Sequence, residues 1–328
     1  MNNKTNRPSI SVVMPTYNGE AFIAKAIQSV LNQTFTDFEL IIVNDGSTDA
    51  TASIIASFDD SRILYIKKET NTGIADCLNI GIKVAKGTYF ARMDDDDTCD
   101  KERLLQQIRY LETHKNVIVC ATNDQNRGGN RPYLSNLQIK IGLMFRNVLI
   151  HASVMMPMSI FNNYKYNVDK VPSEDYDLWS RILKEGEFHK LSDPLMQIRY
   201  SIDGQTATRR HEQLKLNIDI GKSIFKSYGF DLNEIDEMIL NFFIQHNYSV
   251  SPGFLIKIIA WLDDLNHRNT NLNIFPEHAF ANEIEYQKWD FIKKYFLNNK
   301  ITKKMHSFIC LPYKYKFKIM NYYVKKLI

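Results

Sequence analysis

Four consecutive carboxylates, Asp94 to Asp97, form the part of this chain best suited to chemistry. They follow the mostly apolar residues 88–91, a pattern typical of a short buried strand rather than of a disordered tail. Adjacent carboxylates repel one another unless water or a cation surrounds them, and their oxygens suit Mg²⁺ or Mn²⁺ that also holds phosphate. The run therefore indicates a metal site at the end of a strand, or else a solvated acidic loop or a helix start.

Polar loops also follow the first two predicted strands. Residues 15–19 (PTYNG) come after a strand over 10–14, and residues 44–49 (NDGSTD) come after a strand over 38–43. Each loop alone is typical of a turn. In a parallel sheet, however, all these loops open on the same edge, where open α/β sheets bind ligands. An aromatic ring, an isolated carboxylate and a metal cluster would then share one site that suits a nucleotide diphosphate.

Strand and helix patterns alternate from the start of the chain, which predicts an α/β fold with a mostly parallel sheet. The predicted strands are 10–14, which Pro15 is expected to end, 38–43, 63–66, 88–93 and 117–121. The predicted helices between them are 21–33, 50–58, 74–86 and 101–114. Gly87 is expected to close the third helix.

The pattern changes after the fifth strand. Two later strands are predicted over 153–156 and 195–200, and between them Ser173 is expected to cap a helix over 174–185. From about residue 205 onward the sequence shows helical periods. These helices are predicted over 211–228, 233–246, 253–267 and 279–298.

Composition limits the class of protein. The chain has 328 residues with ordinary hydrophobic content, enough for one large core or two domains. Its four cysteines are scattered without metal-binding spacing, which favours a reducing, cytoplasmic compartment over a disulfide framework. Residues 1–8 are polar, and no stretch approaches the roughly 20 apolar residues of a membrane span.

The net charge of +4 is unevenly distributed. Residues 291–328 contain ten Lys and no Asp or Glu, so the preceding residues carry a net charge of −6 (4 minus 10). This basic, aromatic-rich tail predicts contact with an anionic membrane, or a helix packed on the body with its lysines in water. The aromatic residues expected at the interface are Phe308, Tyr313, Tyr315, Phe317, Tyr322 and Tyr323. The acidic body argues against binding to nucleic acid.

Four segments together resemble the inverting family 2 glycosyltransferases of GT-A fold, of the bacterial surface-polysaccharide type. They are VVMPTYNGE (12–20), IIVNDGSTD (41–49), NTGIADCLNIGIKVAKGTYFARMDDDD (71–97) and SEDYDLWSRI (173–182). The resemblance covers about residues 8–205. It implies a GT-A, Rossmann-like, mostly parallel sheet flanked by helices. The expected domains are a nucleotide-sugar-binding and catalytic domain over 1–205 and a helical C-terminal region over 206–328.

The resemblance also assigns roles to residues of the nucleotide-sugar site. Asp45 would bind the edge of the base, Asp94 would face the ribose, and Asp96 would bind the metal. The implied nucleotide-sugar contacts are Pro15, Thr16, Tyr17, Asn18, Asp45, Asn71, Gly73, Asn79, Arg92, Asp94 and Asp95. The implied metal ligands are Asp96 and Asp94, for Mn²⁺ or Mg²⁺. Asp97 matches the second Asp of the family's ending, so four acidic residues leave the ligand choice open by one position.

The pair Glu174 and Asp175 resembles the family's "ED" signature, which makes them the implied catalytic residues. An inverting transfer needs one base to accept the proton of the acceptor hydroxyl, and Asp175 is expected to be that base. Alternatively, both acids only complement a helix dipole. On the acceptor side the resemblance implies His151, Trp179 and Arg199.

The resemblance implies a metal-dependent transfer of one sugar from a nucleotide sugar, UDP-linked, to a saccharide or polyprenyl-diphosphate-linked saccharide. The enzyme is expected in the cytoplasm, peripherally bound to the inner face of the cell membrane. Residues 94–98 also fit DxDxT, the nucleophile loop of haloacid-dehalogenase-type phosphatases. That motif would follow the fourth strand rather than the first, and it leaves the NDGSTD and ED segments unexplained. A second alternative is a non-catalytic membrane-surface protein that uses only the basic tail.

Overall fold

The structure is a computed structural model that describes residues 7–126, 134–200, 209–245, 247–299 and 301–327. The chain divides into two compact units, Met1–Ile139 with Val148–Leu216 and Lys140–Asn147 with Asn217–Ile328. The domain boundary expected at 205/206 lies outside the described residues. Within the described ranges, the helices are all too short or too polar to cross a bilayer.

The first unit is organised by a seven-stranded sheet and a separate pair of short strands. The strands are β1 (Ile10–Thr16), β2 (Phe38–Asn44), β3 (Ile63–Lys67), β4 (Tyr89–Arg92), β5 (Thr98–Cys99), β6 (Val117–Ala121), β7 (Met155–Pro157), β8 (Glu187–Lys190) and β9 (Met196–Gln197). The large sheet has the order β3-β2-β1-β4-β7-β6-β8, and β5 pairs with β9. Strands β1 to β4 are parallel, β8 is parallel to β6, and β7 is antiparallel to its neighbours. The predicted mostly parallel sheet is confirmed.

Helices flank this sheet and bury their apolar sides against it. They are α1 (Ile23–Leu31), α2 (Thr51–Ala56), α3 (Ile74–Val84), α4 (Arg103–Thr113) and α6 (Glu174–Ile182), with 3₁₀ turns at His151–Ser153, Met158–Asn162 and Val168–Lys170. Helix α5 (Asn136–Phe145) begins in the first unit, and most of its residues belong to the second. In α1 the buried residues Ile23, Ala26, Ile27 and Val30 recur at helical spacing. They join one core with strand residues such as Leu40.

Strand β1 continues through Pro15, where the sequence predicted its end. Pro15 pairs in register with Val43 of β2, and the pairing with β4 already stops at Val13 and Arg92. Because one neighbouring strand has ended before Pro15, the missing N–H of the proline costs little there. The extra residues bring Thr16 to the edge of the sheet.

Two expected helix signals have other roles. Helix α3 ends at Val84, before Gly87, and a Cβ at Gly87 would overlap the backbone of Ile10 and Ser11. Gly87 is therefore needed for close approach to β1 and does not cap the helix. Ser173 precedes α6, but within the described residues its side chain makes no capping hydrogen bond; it donates instead to the Gln213 carbonyl at 3.4 Å.

Strands β5 and β8 were not predicted, whereas β9 lies within the strand predicted over 195–200. Thr98 pairs with Gln197 and Cys99 with Met196. Because Thr98 directly follows the acidic run, this pairing holds the segment after β9 beside that run. A two-residue strand has too few residues to show a periodic pattern. Strand β8 follows α6 closely and pairs with β6 far away in sequence.

The second unit is helical. Its helices include the part of α7 (Arg210–Ser227) from Asn217 onward, α8 (Glu234–Ile244), α9 (Pro252–Leu272), α10 (Glu277–Asn298), α11 (Ile301–Cys310) and α12 (Tyr313–Leu327). Its core contains Phe145, whose ring lies 5.6 Å from Phe225, 5.6 Å from Phe243 and 6.2 Å from Trp261. Asp290 accepts hydrogen bonds from Arg146 at 3.1 Å and from Lys294 at 2.8 Å, so this buried carboxylate is paired.

Candidate active site

The three predicted loops meet at the carboxyl edge of the sheet. Thr16 at the end of β1 is in register with Asn44 at the end of β2, and β4 ends beside them at Arg92. Thr16 Oγ1 donates to Asp95 Oδ2 at 2.5 Å, which joins the first loop to the acidic run. A Cβ at Gly19 would overlap this Asp95 oxygen and Thr16 Oγ1, so a larger residue there would displace the hydrogen bond between them.

Asn18 fastens the first loop to the second. Its side-chain Oδ1 accepts from the backbone N–H of Thr48 at 2.9 Å, and its own N–H donates to Ser47 Oγ at 2.9 Å. The left-handed backbone of Asn18, with φ of 51°, makes this turn possible. Beside it, the Tyr17 ring is 49% exposed. Asn18 thus holds the loops in place, and the Tyr17 ring remains free to stack on a planar group.

Asp45 is held as an ionised carboxylate in the second loop. It accepts from Lys68 Nζ at 2.6 Å and from the backbone N–H groups of Thr72 and Gly73 at 2.9 and 2.8 Å. Burial pushes the pKa of Asp45 up, but these donors together hold it below its usual range. Thr72 and Gly73 belong to the loop between β3 and α3; this loop needs Gly73, whose φ is +95°, and Asn71 is exposed on it.

Within the acidic run, three carboxylates cluster. Asp94, Asp96 and Asp97 each offer an oxygen within 4.8 Å of the others. Asp94 pairs with the buried Arg92. A set of hard carboxylate oxygens at this spacing fits Mg²⁺ or Mn²⁺, and Asp97 joins the two ligands predicted from the sequence.

Burial raises the pKa of the other acids in this run. The pKa of Asp95 rises to about 7, with the hydrogen bond from Thr16 opposing the shift, and that of Asp97 also rises to about 7. The pKa of Asp96 is raised as well. In each case burial is the first cause and the charge of Asp94 adds to it. A bound cation would relieve this repulsion, which is the physical reason to consider the run a metal site.

Arg199 lies against the acidic run. Its Nη2 and Nε donate to Asp96 Oδ2 at 2.7 and 3.1 Å, and its backbone N–H donates to Asp97 Oδ1 at 2.8 Å. Its guanidinium carbon also lies 4.1 Å from the centre of the Phe22 ring. Arg199 was predicted on the acceptor side, and the structure places it against Asp96 and Asp97 of the acidic cluster.

Glu174 and Asp175, at the start of α6, lie in different environments. Glu174 is buried, its Oε2 has no hydrogen-bond partner among the described residues, and burial followed by the charge of Asp175 raises its pKa to about 7. The charges of Arg92 and Asp94 also act on Glu174, so α6 begins close to the acidic run. Asp175 is half-buried and its Oδ1 accepts from the Tyr176 N–H at 2.6 Å. The more accessible acid of the pair is Asp175.

His151 belongs to a buried group beside Glu174. His151 Nε2 lies 3.0 Å from Tyr166 Oη, and its Nδ1 lies 3.8 Å from Glu174 Oε1. Burial, and then the charge of Arg92, lower the pKa of His151 well below its usual range, so the ring is neutral. A neutral, buried His151 can position Glu174 but cannot act as a cation.

Asn79 and Trp179 contact the residues of this buried group. The Asn79 side chain exchanges two hydrogen bonds with the backbone of Tyr166, at 2.9 and 3.0 Å. The Trp179 side chain is fully buried, and its ring lies edge-on to His151 with 6.2 Å between centroids. In the structure both side chains therefore contact the buried group, while the roles of Asn79 at the nucleotide and Trp179 at the acceptor stay predictions.

Sequence reasoning missed Lys68, Tyr166 and Arg103. Lys68 follows β3 at the same sheet edge, so the argument applied to the other strands could have found it. Arg103 is buried and donates to the backbone carbonyl of Arg92 at 2.7 Å, which fixes the end of β4 below the acidic run. Tyr166 lies in an irregular segment that carries no periodic signal.

Comparisons with known proteins point to one family and one fold. The model of the family described as "Glycosyl transferase family 2" matches residues 11–171. The chain is 33% identical over 208 residues to EpsE of Bacillus subtilis, a protein named as a glycosyltransferase; the match covers 60% of this chain and 74% of EpsE.

Two solved structures share the fold. One is TarS residues 1–349 from S. aureus in complex with UDP-GlcNAc, which is 21% identical with a TM-score of 0.56 and covers 88% of this chain and 89% of that chain. The other is the mannosyltransferase PcManGT from Pyrobaculum calidifontis in complex with GDP-Man and Mn²⁺. It is 16% identical with a TM-score of 0.55, and it covers 90% of this chain and 89% of that chain. The GT-A-type fold implied by the sequence is confirmed.

Proposed function

Since this chain belongs to glycosyltransferase family 2, we propose that it transfers one sugar from a nucleotide sugar to a saccharide acceptor, with inversion at the anomeric carbon, in surface polysaccharide synthesis. The observation that carries the proposal is the shared sheet edge. There the exposed Tyr17 ring, the ionised Asp45 and the acidic run open on one side of the sheet. The family assignment and this arrangement favour a transferase over the phosphatase and over the non-catalytic membrane protein.

We propose a UDP-sugar as the donor. An ionised Asp45 accepts the imide N–H of uracil, and the Tyr17 ring stacks on the base. Exposed Asn71 borders the loop that carries Asp45. TarS binds UDP-GlcNAc, whereas PcManGT binds GDP-Man, so the fold accommodates more than one base.

The carboxylates of Asp94, Asp96 and Asp97 would hold Mn²⁺ or Mg²⁺. Such an ion, when bound, stabilises the negative charge of a departing nucleoside diphosphate. The Mn²⁺ complex of PcManGT supports this choice of metal. Beneath the cluster, Arg92 and Arg103 hold the end of β4 and orient the ligands.

Asp175 is the proposed general base. It lies in the first turn of α6, where the helix dipole favours a carboxylate. Its carboxylate accepts the proton of the acceptor hydroxyl while that oxygen attacks the anomeric carbon from the side opposite the diphosphate. The new C–O bond forms as the bond to the diphosphate breaks, so the configuration at that carbon inverts. Glu174 is too buried to meet an acceptor hydroxyl and instead borders the site.

We also propose that α11 and α12 bind an anionic membrane that carries a lipid-linked acceptor. Ile309, Tyr313, Phe317 and Met320 are exposed, at 72, 82, 57 and 57%. The last three recur at helical spacing on α12 among lysines. Exposed apolar residues within a segment rich in Lys are typical of a helix lying in a membrane interface. Tyr315 is buried and donates to Glu285 at 3.1 Å, so it cannot enter the interface as the sequence predicted.

A thermal-shift screen of nucleotide sugars with Mn²⁺ tests the enzyme assignment. A donor at 100 times its Kd should stabilise the protein by about 2.7 kcal/mol. The Asp96→Ala variant should lose this metal-dependent stabilisation and the release of UDP, whereas Asp100→Asn, just outside the cluster, should keep both. Hydrolysis of p-nitrophenyl phosphate without any donor response would favour the phosphatase instead.

A further inference from the structure

Arg199 is fixed against the acidic run from two sides. The β5–β9 pairing holds its segment beside the run, and its backbone N–H donates to Asp97 at 2.8 Å. On the other side its guanidinium stacks on the Phe22 ring at 4.1 Å. About a third of the Arg199 side chain is nevertheless exposed, at 32%. The guanidinium is therefore placed by its surroundings but is not locked inside the core.

These contacts make Arg199 a competitor for a metal-ligand oxygen. Two of its N–H groups donate to the same atom, Asp96 Oδ2. Asp96 is one of the three clustered carboxylates, so a divalent ion in the cluster would lie close to the guanidinium charge. Two positive charges at such short range repel each other. An ion must therefore displace Arg199 from Asp96 or bind more weakly beside it.

Resting on the proposed function, we propose that Arg199 couples metal binding to donor binding by exchanging Asp96 for the diphosphate of the nucleotide. A guanidinium released from a carboxylate needs another anion, and phosphate oxygens match its planar set of N–H donors. Phe22 follows the first loop of the site, so its ring keeps the guanidinium at the edge where the diphosphate binds. The metal then binds poorly without nucleotide, because Arg199 occupies Asp96, and binds well with it.

This exchange has a reciprocal consequence. If UDP increases the affinity for Mn²⁺ by some factor, Mn²⁺ must increase the affinity for UDP by the same factor. Removing the guanidinium should free Asp96 for the ion and also remove a partner of the diphosphate. Arg199 variants should therefore bind Mn²⁺ alone more tightly and respond less to UDP.

The test is a titration of free Mn²⁺ by electron paramagnetic resonance on the full chain, with and without UDP. Arg199→Gln should bind Mn²⁺ alone about fivefold more tightly than wild type, the upper range for a partly exposed ion pair. The increase in Mn²⁺ affinity caused by UDP should shrink by about fivefold or more. Arg199→Lys keeps the charge but loses the planar donor set, so its affinity for Mn²⁺ alone should stay near that of wild type while the UDP effect falls.

Arg62→Gln is the matched control. Arg62 also donates through two nitrogens to an aspartate, Asp60, stacks on Phe38 at 4.6 Å, and is 27% exposed. It precedes β3 at the opposite edge of the sheet, so its removal should leave Mn²⁺ binding unchanged.

The outcomes separate this inference from the proposed function. A wild-type protein that binds no Mn²⁺ even with UDP would overturn the metal site and the exchange together. If wild type binds Mn²⁺ and UDP but Arg199→Gln shows unchanged Mn²⁺ affinity and an unchanged UDP effect, only the exchange is overturned. If Arg199→Gln does not fold, a full UDP effect in Arg199→Lys overturns the exchange on its own.

Discussion

At the scale of single residues, the adjacent acids Glu174 and Asp175 differ in burial, and we therefore propose different roles for them. Glu174 points into a buried group with His151, whereas Asp175 stays half-exposed on the same helical turn. Sequence resemblance identified the pair, but burial distinguishes its members, and the buried group beside Glu174 includes His151, which Tyr166 contacts, and Asn79, which lies far from the pair in sequence. Long-range contacts of this kind leave no local pattern, so the sequence could not reveal them.

Asp175→Asn should lower kcat by roughly 10²–10⁴ with donor affinity nearly intact, because the amide cannot accept the proton. The check is the rate of UDP release together with the Kd for UDP. Asp177→Asn is the matched control, since Asp177 lies two residues further along α6 and pairs with Arg181 at 2.9 Å. NMR of the product from an α-linked UDP-sugar should show a β linkage. A retained α linkage, or full activity of Asp175→Asn, would contradict the assignment.

Asp45→Ala should weaken UDP binding more than it slows the chemical step, since the base is remote from the reacting carbon. Isothermal titration with UDP gives the Kd, and single-turnover kinetics give the rate of transfer. Because Asp45 accepts two backbone N–H groups, circular dichroism must first show that the loop variant is folded. A folded variant with wild-type affinity would mean that Asp45 serves only the turn.

At the scale of elements, the central strands and their helices were predictable because each is a continuous apolar run or a helical period. Strands β1 to β4 and helices α1, α3 and α4 occur within a few residues of their predicted bounds. The exceptions have local causes: Pro15 is tolerated beside the end of β4, and Gly87 serves close packing. The β5–β9 pair positions Arg199; β9 lies within the strand predicted over 195–200, whereas β5 has only two residues, too few to predict.

The buried start of α6 gives a pH prediction. Burial raises the pKa of Glu174 from 4.5 to about 7, so the folded protein binds more protons than the unfolded chain between these values. Stability from this group is therefore present at low pH and is lost as pH rises through that window. Glu174→Gln removes the buried charge and should be more stable than wild type at pH 8, by an amount of order 1–3 kcal/mol, but not at pH 4.5.

Chemical denaturation of both proteins across pH 4.5–8 measures this difference. The lowered pKa of His151 acts on both proteins, so subtracting one curve from the other removes most of its contribution. A difference in stability that does not change with pH would show that Glu174 titrates normally. Activity of Glu174→Gln should fall less than that of Asp175→Asn, because Glu174 does not take the proton.

At the scale of the whole molecule, the basic, aromatic-rich tail that causes the charge asymmetry of the sequence belongs to the second unit. The second unit presents Ile309, Tyr313, Phe317 and Met320 to solvent, while Leu311, Tyr315 and Ile319 are buried. Composition predicted a basic, aromatic tail, but only the structure separates its outward residues from those that complete the helical core. Packing thus uses Tyr315 and Ile319 of α12, and the proposed membrane contact rests on the exposed side chains of the same helix.

This division changes how membrane binding must be tested. Truncation after residue 299 would remove Ser307, 2.7 Å from Tyr295 Oη, and the contacts of Lys314 and Tyr315 with Glu285. A truncated chain would expose its core and could bind vesicles for that reason alone. Point changes on the exposed side avoid this problem.

The triple variant Tyr313→Ser, Phe317→Ser, Met320→Ser should bind anionic vesicles at least tenfold more weakly, because it loses the apolar residues that enter the interface. Co-sedimentation with phosphatidylglycerol-containing vesicles measures this, and binding of wild type should fall as salt rises, since each Lys near the surface contributes about 1 kcal/mol. Ile235→Ser with Met238→Ser is the matched control: both are exposed apolar residues of the same unit, 61 and 41%, on a helix that begins with acids. Equal vesicle binding by the triple variant and wild type would reject α12 as the membrane contact. Transfer to a water-soluble saccharide should be unchanged in the triple variant, because the substituted side chains lie in the second unit and the proposed catalytic residues in the first.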